Sequence, residues 1–158
     1  MSMFDVKKIV VDPEILTARI EVEPDAPLST SDDLEGTTRV LNLLPQISEH
    51  VCVSPKGRTF GAELPETNVV HLLEHVTVEL LMLTGRVGNT VVGRTDVTND
   101  DRLYEVRLDC WDDTLTMAAL SSAAWILDWA YSGGNEPHPD IEGIVGGIVQ
   151  LVDTIDHV

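Results

Sequence analysis

This sequence has few basic residues, only two cysteines and no long apolar run. Its 158 residues include 10 Lys and Arg against 27 Asp and Glu, which gives a formal net charge of −17. Such a charge repels nucleic-acid phosphates and anionic lipid headgroups, so neither a nucleic acid nor a membrane is an expected partner. No stretch reaches the roughly 18 apolar residues that are needed to cross a bilayer.

The N-terminal segment also lacks the order of a secretory signal, in which basic residues precede apolar ones. We therefore expect a cytoplasmic protein, in which Cys52 and Cys110 are free thiols rather than a disulfide. The 43% apolar content is that of a folded chain with its own core. The length fits a single domain over residues 1–158.

The pattern along the chain predicts an α+β fold. Strands are predicted at residues 7–11, 17–22, 90–94 and 103–111. Helices are predicted after the capping run at residues 31–33 and over residues 68–84, 114–131 and 140–154. Pro45 is expected to divide the first helix. The order β-β-α-α-β-β-α-α indicates an antiparallel sheet packed against a single layer of helices, with the helix at residues 68–84 in the centre.

That helix is the most apolar helix-length stretch of the chain, yet it contains His71, Glu74, His75 and Glu79. At about 100° per residue the four ionisable side chains fall inside an arc of about 140°. Histidines one turn apart can direct their imidazoles at the same ion, as zinc sites require. Glu74 lies beside His75 and can transfer protons as a general acid and base. The HxxEH order is the signature of the inverzincins.

A catalytic zinc site needs a third protein ligand as well as an open position for water. Glu79, one turn beyond His75, is the favoured candidate for this third ligand. Its distance from His71, about 12 Å of helix rise, makes a shared ion strained. The alternative ligands are Asp112, Asp113 and Cys110. The residues alone therefore predict a Zn²⁺ site and leave its third ligand open.

Five sequence blocks, taken in order, carry a family likeness. The blocks are LLPQISEHVC (43–52), HLLEHVTVEL (71–80), VVGRTD (91–96), LYEVRLDC (103–110) and PHPDIEGIVGGIVQLV (137–152). Together they resemble the N-terminal domain of cyanophycin synthetases, and the similarity covers nearly the whole chain. Val91 and Val92 stand where the family more usually has Gly-Phe, which can reshape the pocket.

The resemblance implies a metal-dependent, peptidase-like activity on the polymer of aspartate with arginine side chains. On that basis His71 and His75 hold zinc, and Glu74 activates water. Arg94, from the Gly-Arg-Thr block, would meet a substrate carboxylate through its planar guanidinium. The chain ends where a synthetase continues into its ATP-grasp and ligase regions, so polymerisation is not expected of it.

The sequence supports two main hypotheses from different classes. The first is a zinc-dependent hydrolase that cleaves an amide or isopeptide bond in a peptide or an amino-acid polymer. The second is a non-catalytic binding or assembly module of the same fold, with the last helix supporting a homodimer. A third possibility, a Cys52 nucleophile activated by His50, lacks an evident acid to orient the histidine.

Overall fold

The computed structural model describes residues 2–52, 58–88 and 91–156. Its strands are β1 (Phe4–Val11), β2 (Ile15–Val22), β3 (Gly93–Val97) and β4 (Leu103–Asp109). Its α-helices are α1 (Leu34–Leu43), α2 (Phe60–Glu63), α3 (Val69–Leu83), α4 (Asp113–Tyr131) and α5 (Ile141–Asp156). Short 3₁₀ helices at Thr30–Asp32 and Pro45–Glu49 flank α1. None of these helices is both long enough and apolar enough to span a bilayer.

The four strands form one antiparallel sheet in the order β1-β2-β4-β3. Alternate side chains of β2 and β4, among them Leu16, Ile20 and Val106, are fully buried, whereas Arg19 and Arg107 between them are exposed. An antiparallel sheet with one apolar face must cover that face with another layer. The predicted α+β class and the antiparallel sheet are thus confirmed.

Helices α3 and α4 lie on the buried face of the sheet and pack against each other. Helix α3 contacts β3 and β4. Leu73 of α3, Leu120 of α4 and Ile20 of β2 line one small cavity between the helices and the sheet. Helices α1 and α5 pack against α4. Helix α3 is therefore enclosed over most of its length, and every residue from Val69 to Leu81 is buried.

The helix boundaries follow the capping signals of the sequence. The Asn68 side chain accepts a hydrogen bond from the His71 backbone N–H at 2.7 Å and so starts α3. Gly85 follows the end of α3 with a φ of +69°, which glycine adopts without strain. Pro45 ends α1 and begins a 3₁₀ helix, as predicted. In the third predicted strand, residue 90 lies outside the described residues, and the strand begins at Gly93.

Candidate metal centre

Helix α3 buries four ionisable side chains inside the core. The exposed fractions of His71, Glu74, His75 and Glu79 are 9%, 3%, 3% and 7%. A buried ionisable group costs free energy unless it is hydrogen-bonded, paired with a charge or bound to a metal. The partners of these four groups therefore define what this region of the protein can do.

The two histidines direct their Nε2 atoms at each other and at Cys52. The two Nε2 atoms are 3.1 Å apart, and Cys52 Sγ lies 3.8 Å from each of them. A tetrahedral zinc ion with bonds of about 2.0 Å to nitrogen and 2.3 Å to sulfur separates two nitrogens by about 3.3 Å and nitrogen from sulfur by about 3.5 Å. The observed distances lie within about 0.3 Å of these separations. Cys52, His71 and His75 are thus a buried cluster that can bind a metal ion.

Cys52 reaches α3 because the chain folds back on itself after the 3₁₀ helix Pro45–Glu49. The backbone N–H of Cys52 donates to the Arg58 carbonyl at 2.8 Å, and that of Phe60 donates to the His50 carbonyl at 2.7 Å. This pairing also places the fully buried Phe60 ring against both ligand rings. Phe60 stacks on His75 at a centroid distance of 4.0 Å and meets His71 edge-on at 4.9 Å.

The far nitrogen of each histidine is also hydrogen-bonded. His71 Nδ1 lies 2.9 Å from the Thr67 hydroxyl oxygen. His75 Nδ1 lies 3.0 Å from His50 Nδ1, and His50 Nε2 lies 2.8 Å from Glu79 Oε1. Metal-binding histidines commonly place the second ring nitrogen in such a bond, which fixes the orientation of the ring. The partners present here therefore suit two histidines that bind a metal through Nε2.

Glu74 lies beside the cluster, and strand β3 holds it there. Its Oε2 atom is 3.5 Å from His75 Nε2, while its Oε1 atom accepts a hydrogen bond from the Thr95 hydroxyl at 2.8 Å. A Cβ atom at Gly93 would lie 2.9 Å from both Cγ and Oε2 of Glu74, so only glycine leaves room for this contact. One carboxylate oxygen is thus anchored on the sheet, and the other lies next to the cluster.

Burial determines the protonation of these groups. Burial outweighs the hydrogen bond from Thr95, which favours the charged form, and the pKa of Glu74 is raised to about 7. Burial, together with the neighbouring His71 and His50, lowers the pKa of His75 to about 2. Burial also lowers the pKa of His71. Both histidines of the cluster are therefore mainly neutral at pH 7, the form in which an imidazole can bind a metal ion.

The Cys52 thiol is in a poor environment for a free nucleophile. Burial raises its pKa to about 11, with the negative charges of Glu74 and Glu63 adding to the effect. Reactive cysteines instead have lowered pKa values in electropositive surroundings. A bound cation would reverse the effect, because a metal ion stabilises the thiolate that coordinates it. The surroundings of Cys52 thus favour a metal ligand over the nucleophile considered from the sequence.

A cavity of about 580 Å³ opens beside the cluster. Glu74 and His75 lie in its wall, so a molecule in the cavity can approach the side of the cluster where the carboxylate stands. Valine and methionine side chains make up much of the remaining wall, together with Glu49, His50 and Glu79. The arrangement is that of an apolar pocket with a few converging polar groups, as small-molecule sites generally have.

The other predicted site residues lie outside the cluster. Glu79 is hydrogen-bonded to His50, and its role as a direct metal ligand stays a prediction. The third side chain of the cluster, beside the two histidines, is Cys52. Arg94 is about half exposed and binds Asp96 at 2.8 Å. Strand alternation places Arg94 on the face of β3 opposite Thr95 and Glu74. Its role in substrate binding likewise stays a prediction.

The alternative third ligands have other partners. The Asp112 side chain caps α4 by accepting a hydrogen bond from the Leu115 backbone N–H at 3.1 Å. Asp113 accepts from the Thr114 backbone N–H at 3.0 Å. Cys110 is buried and its backbone N–H donates to the Glu14 carbonyl. Both cysteines are free thiols, as the sequence predicts.

The fold and this centre define an α+β domain with a Cys/His/His cluster that can bind a metal. The chain matches the family model of the cyanophycin synthase-like N-terminal domain over residues 19–131. It belongs to this family, which confirms the resemblance. The match contains the first four sequence blocks, whereas the block at residues 137–152 lies beyond it. The matched region runs from within β2 to the end of α4 and contains the whole centre. No curated protein matches the chain.

Proposed function

We propose that this protein is a zinc-dependent hydrolase that cleaves an amide or isopeptide bond. The observation that carries the proposal is the convergence of Cys52, His71 and His75, with Glu74 beside them in the wall of a cavity. Cys52, His71 and His75 would hold zinc with three protein ligands and leave it accessible to water or substrate, as in catalytic rather than structural zinc sites. A closed structural site would need a fourth protein ligand in place of that opening.

The ligand types favour zinc over other common divalent ions. Carboxylate and carbonyl oxygens suit magnesium and calcium, whereas thiolate with imidazole suits zinc. When bound, zinc would supply Lewis-acid polarisation of the substrate carbonyl and lower the pKa of a coordinated water to about 7. Side chains near the zinc site would carry out the proton transfers.

Glu74 is the group best placed to move the proton. Its Oε2 atom takes no part in the bond that ties Oε1 to Thr95, and Glu74 and His75 both line the cavity. Glu74 takes a proton from the attacking water as the water oxygen bonds to the carbonyl carbon. It then gives that proton to the amine nitrogen as the carbon–nitrogen bond breaks. In the metal-free protein burial raises the pKa of this carboxyl, and a zinc ion beside it would lower the pKa again and so favour the ionised form that accepts the proton.

The cavity indicates the class of substrate. Among its described lining residues are Glu49, Glu74 and Glu79 and no Lys or Arg. A concave surface with this charge attracts cationic groups. A peptide or amino-acid polymer with cationic side chains fits, and the aspartate–arginine polymer that gives the family its name is one such molecule.

The test is hydrolysis by zinc-loaded protein of the aspartate–arginine polymer, its β-aspartyl-arginine unit and unrelated peptides. Released amines are measured by fluorescence, and products are identified by mass spectrometry. We expect cleavage that a chelator stops and added zinc restores. Glu74→Gln should lower kcat by about 100-fold or more, because general acid–base catalysis contributes about that much.

Glu49→Gln is the matched control, since it removes an exposed carboxylate from the same cavity without touching the cluster. It should leave kcat nearly unchanged. Undiminished activity in Glu74→Gln, or activity that is indifferent to zinc, would refute the mechanism. Binding of the polymer without any cleavage would instead identify the non-catalytic module.

A further inference from the structure

His75 is the first member of a hydrogen-bonded chain that ends on a carboxylate. Its Nδ1 atom is 3.0 Å from His50 Nδ1, and His50 Nε2 is 2.8 Å from Glu79 Oε1. The side chains of His50 and Glu79 are 12% and 9% exposed, so water competes little for these bonds. The equivalent nitrogen of His71 lies 2.9 Å from the hydroxyl oxygen of Thr67, a neutral partner.

We propose that His50 and Glu79 are positioning residues that fix His75 for metal binding, an inference that rests on the proposed zinc site. A His75 that binds through Nε2 keeps its hydrogen on Nδ1 and donates it to His50 Nδ1. His50 then carries its own hydrogen on Nε2 and donates it to Glu79. This single arrangement of hydrogens satisfies every atom of the chain.

The hydrogen bonds from His75 to His50 and Glu79 fix a feature of the His75 ring that stacking on Phe60 leaves free. Phe60 stacks nearly parallel on His75, with an interplanar angle of 20°, and so fixes the plane of the ring. Rotation of His75 by 180° about the bond to its ring would preserve that stacking but would replace Nε2 with a carbon facing Cys52. A hydrogen bond at Nδ1 favours the orientation that directs Nε2 toward Cys52, and His50 provides this bond.

Glu79 extends the same effect by one residue. It lies one helical turn after His75, and His50 from the preceding loop bridges the two side chains. A carboxylate behind a metal-binding histidine holds the tautomer and strengthens the donor nitrogen. Through these bonds the loop that carries Cys52 and the helix that carries His75 are joined at a second point. This gives Glu79 a role at the centre without making it a ligand.

The test measures zinc affinity by competition with a chromophoric chelator, together with the visible spectrum of the Co²⁺-loaded protein, with no substrate present. His50→Phe and Glu79→Met each break the chain and should weaken zinc binding by about 10- to 100-fold and alter the Co²⁺ bands. His50→Asn should recover part of the affinity, because its amide oxygen can accept from His75. Glu49→Gln, which removes a charge from the same cavity, should bind within about three-fold of the wild type.

Wild-type affinity in both His50→Phe and Glu79→Met would overturn the positioning role. So would equal losses in Glu79→Met and Glu49→Gln, since charge alone would then explain the effect. If His50→Phe does not fold, Glu79→Met provides the same test with both rings in place. Failure of the wild-type protein to bind zinc would remove the proposed function itself, whereas normal wild-type binding with unaffected variants would remove only this inference.

Discussion

Helices α3 and α4 pack against each other in one core, but they bury different chemistry. The buried residues of α4 are aliphatic side chains together with Thr116 and Tyr131. Over a similar stretch α3 buries two histidines and two glutamates. Burial of such groups costs stability unless their partners compensate, and a metal ion is the partner that suits the Cys52 cluster best. Helix α4 thus buries mainly apolar side chains that stabilise the core, whereas α3 buries ionisable side chains whose cost in stability a bound metal ion could offset.

The largest expected effect on zinc content and activity comes from removing a side chain of the Cys52, His71 and His75 cluster. Cys52→Ala and His75→Ala should each lower zinc content to near zero. Amide hydrolysis should fall by more than the roughly 100-fold that follows loss of an outer-sphere partner. Elemental analysis and the hydrolysis assay measure the two effects. Ile126→Ala, which makes a cavity beside α4, should retain bound zinc. Loss of zinc from this variant would mean that α3 and α4 do not differ in the way described.

Ile126→Ala on α4 should reduce the free energy of unfolding more than a substitution of His75 on α3 does. Ile126 is fully buried, and its truncation to alanine should lower the free energy of unfolding by about 2–5 kcal/mol. Urea denaturation of the metal-free protein measures the change. His75→Leu on α3 should cost far less in the same experiment, because an apolar side chain replaces a buried polar ring. Equal losses from the two variants would contradict the comparison.

Glu74 should make the metal-free protein less stable as pH rises. Its folded pKa of about 7 lies above the ordinary value of 4.5, so its contribution is fully present below pH 4.5 and is lost as pH rises through 7. Glu74→Gln should therefore stabilise the metal-free protein by roughly 3 kcal/mol at pH 8 and by little at pH 4. Denaturation of both proteins at the two pH values gives the difference.

The difference in unfolding free energy between Glu74→Gln and the wild type isolates the contribution of Glu74 from that of His75. The lowered pKa of His75 contributes stability above pH 6.5, and that stability is lost as pH falls. Since both proteins contain His75, its contribution cancels in the difference. A Glu74→Gln variant that is less stable than the wild type at pH 8 would show that the buried carboxylate is compensated without a metal.

The smallest expected effect concerns Thr95. Its hydroxyl stabilises the ionised form of Glu74, so Thr95→Val should raise the pKa of that carboxyl. The acidic limb of the profile of kcat/KM against pH should then move upward by about half a unit to one unit, the equivalent of one hydrogen bond. Thr95→Ser keeps a hydroxyl and should restore the wild-type limb. An identical limb in all three proteins would exclude Thr95 from this role.

The sequence alone predicts the site residues that are spaced with the period of a helix. His71, Glu74 and His75 recur at helical spacing in an apolar segment, so the stripe on α3 could be predicted from the order of residues alone. The α+β class followed from the alternation and turns of the strands in the same way. These features depend on residues that are near each other in the chain.

The remaining parts depend on long-range placement. Cys52 is separated by 19 residues from His71, and its backbone pairing with Arg58 rather than any spacing brings it to the cluster. The helical period places Glu79 on the correct arc, but it cannot show that His50 fills the space between Glu79 and the histidines. The Glu-His-x-Cys block that ends at Cys52 was the available signal for this ligand.

Strand β3 shows a third limit. Arg94 and Thr95 are neighbours in the Gly-Arg-Thr block, and charge alone favours the arginine as the functional residue. Because side chains alternate between the faces of a strand, only one of the two can face α3, and the pairing register decides which. Thr95 faces Glu74, and Arg94 pairs with Asp96 on the other face.

The most direct test of the central claim is the metal content of protein that is purified without a histidine tag. Elemental analysis should find about one zinc ion per chain, and zinc added to chelator-stripped protein should raise the melting temperature, because binding to the folded state alone stabilises it. Cys52→Ala should show neither effect. A wild-type protein that carries no metal and melts at the same temperature with and without zinc would contradict the account.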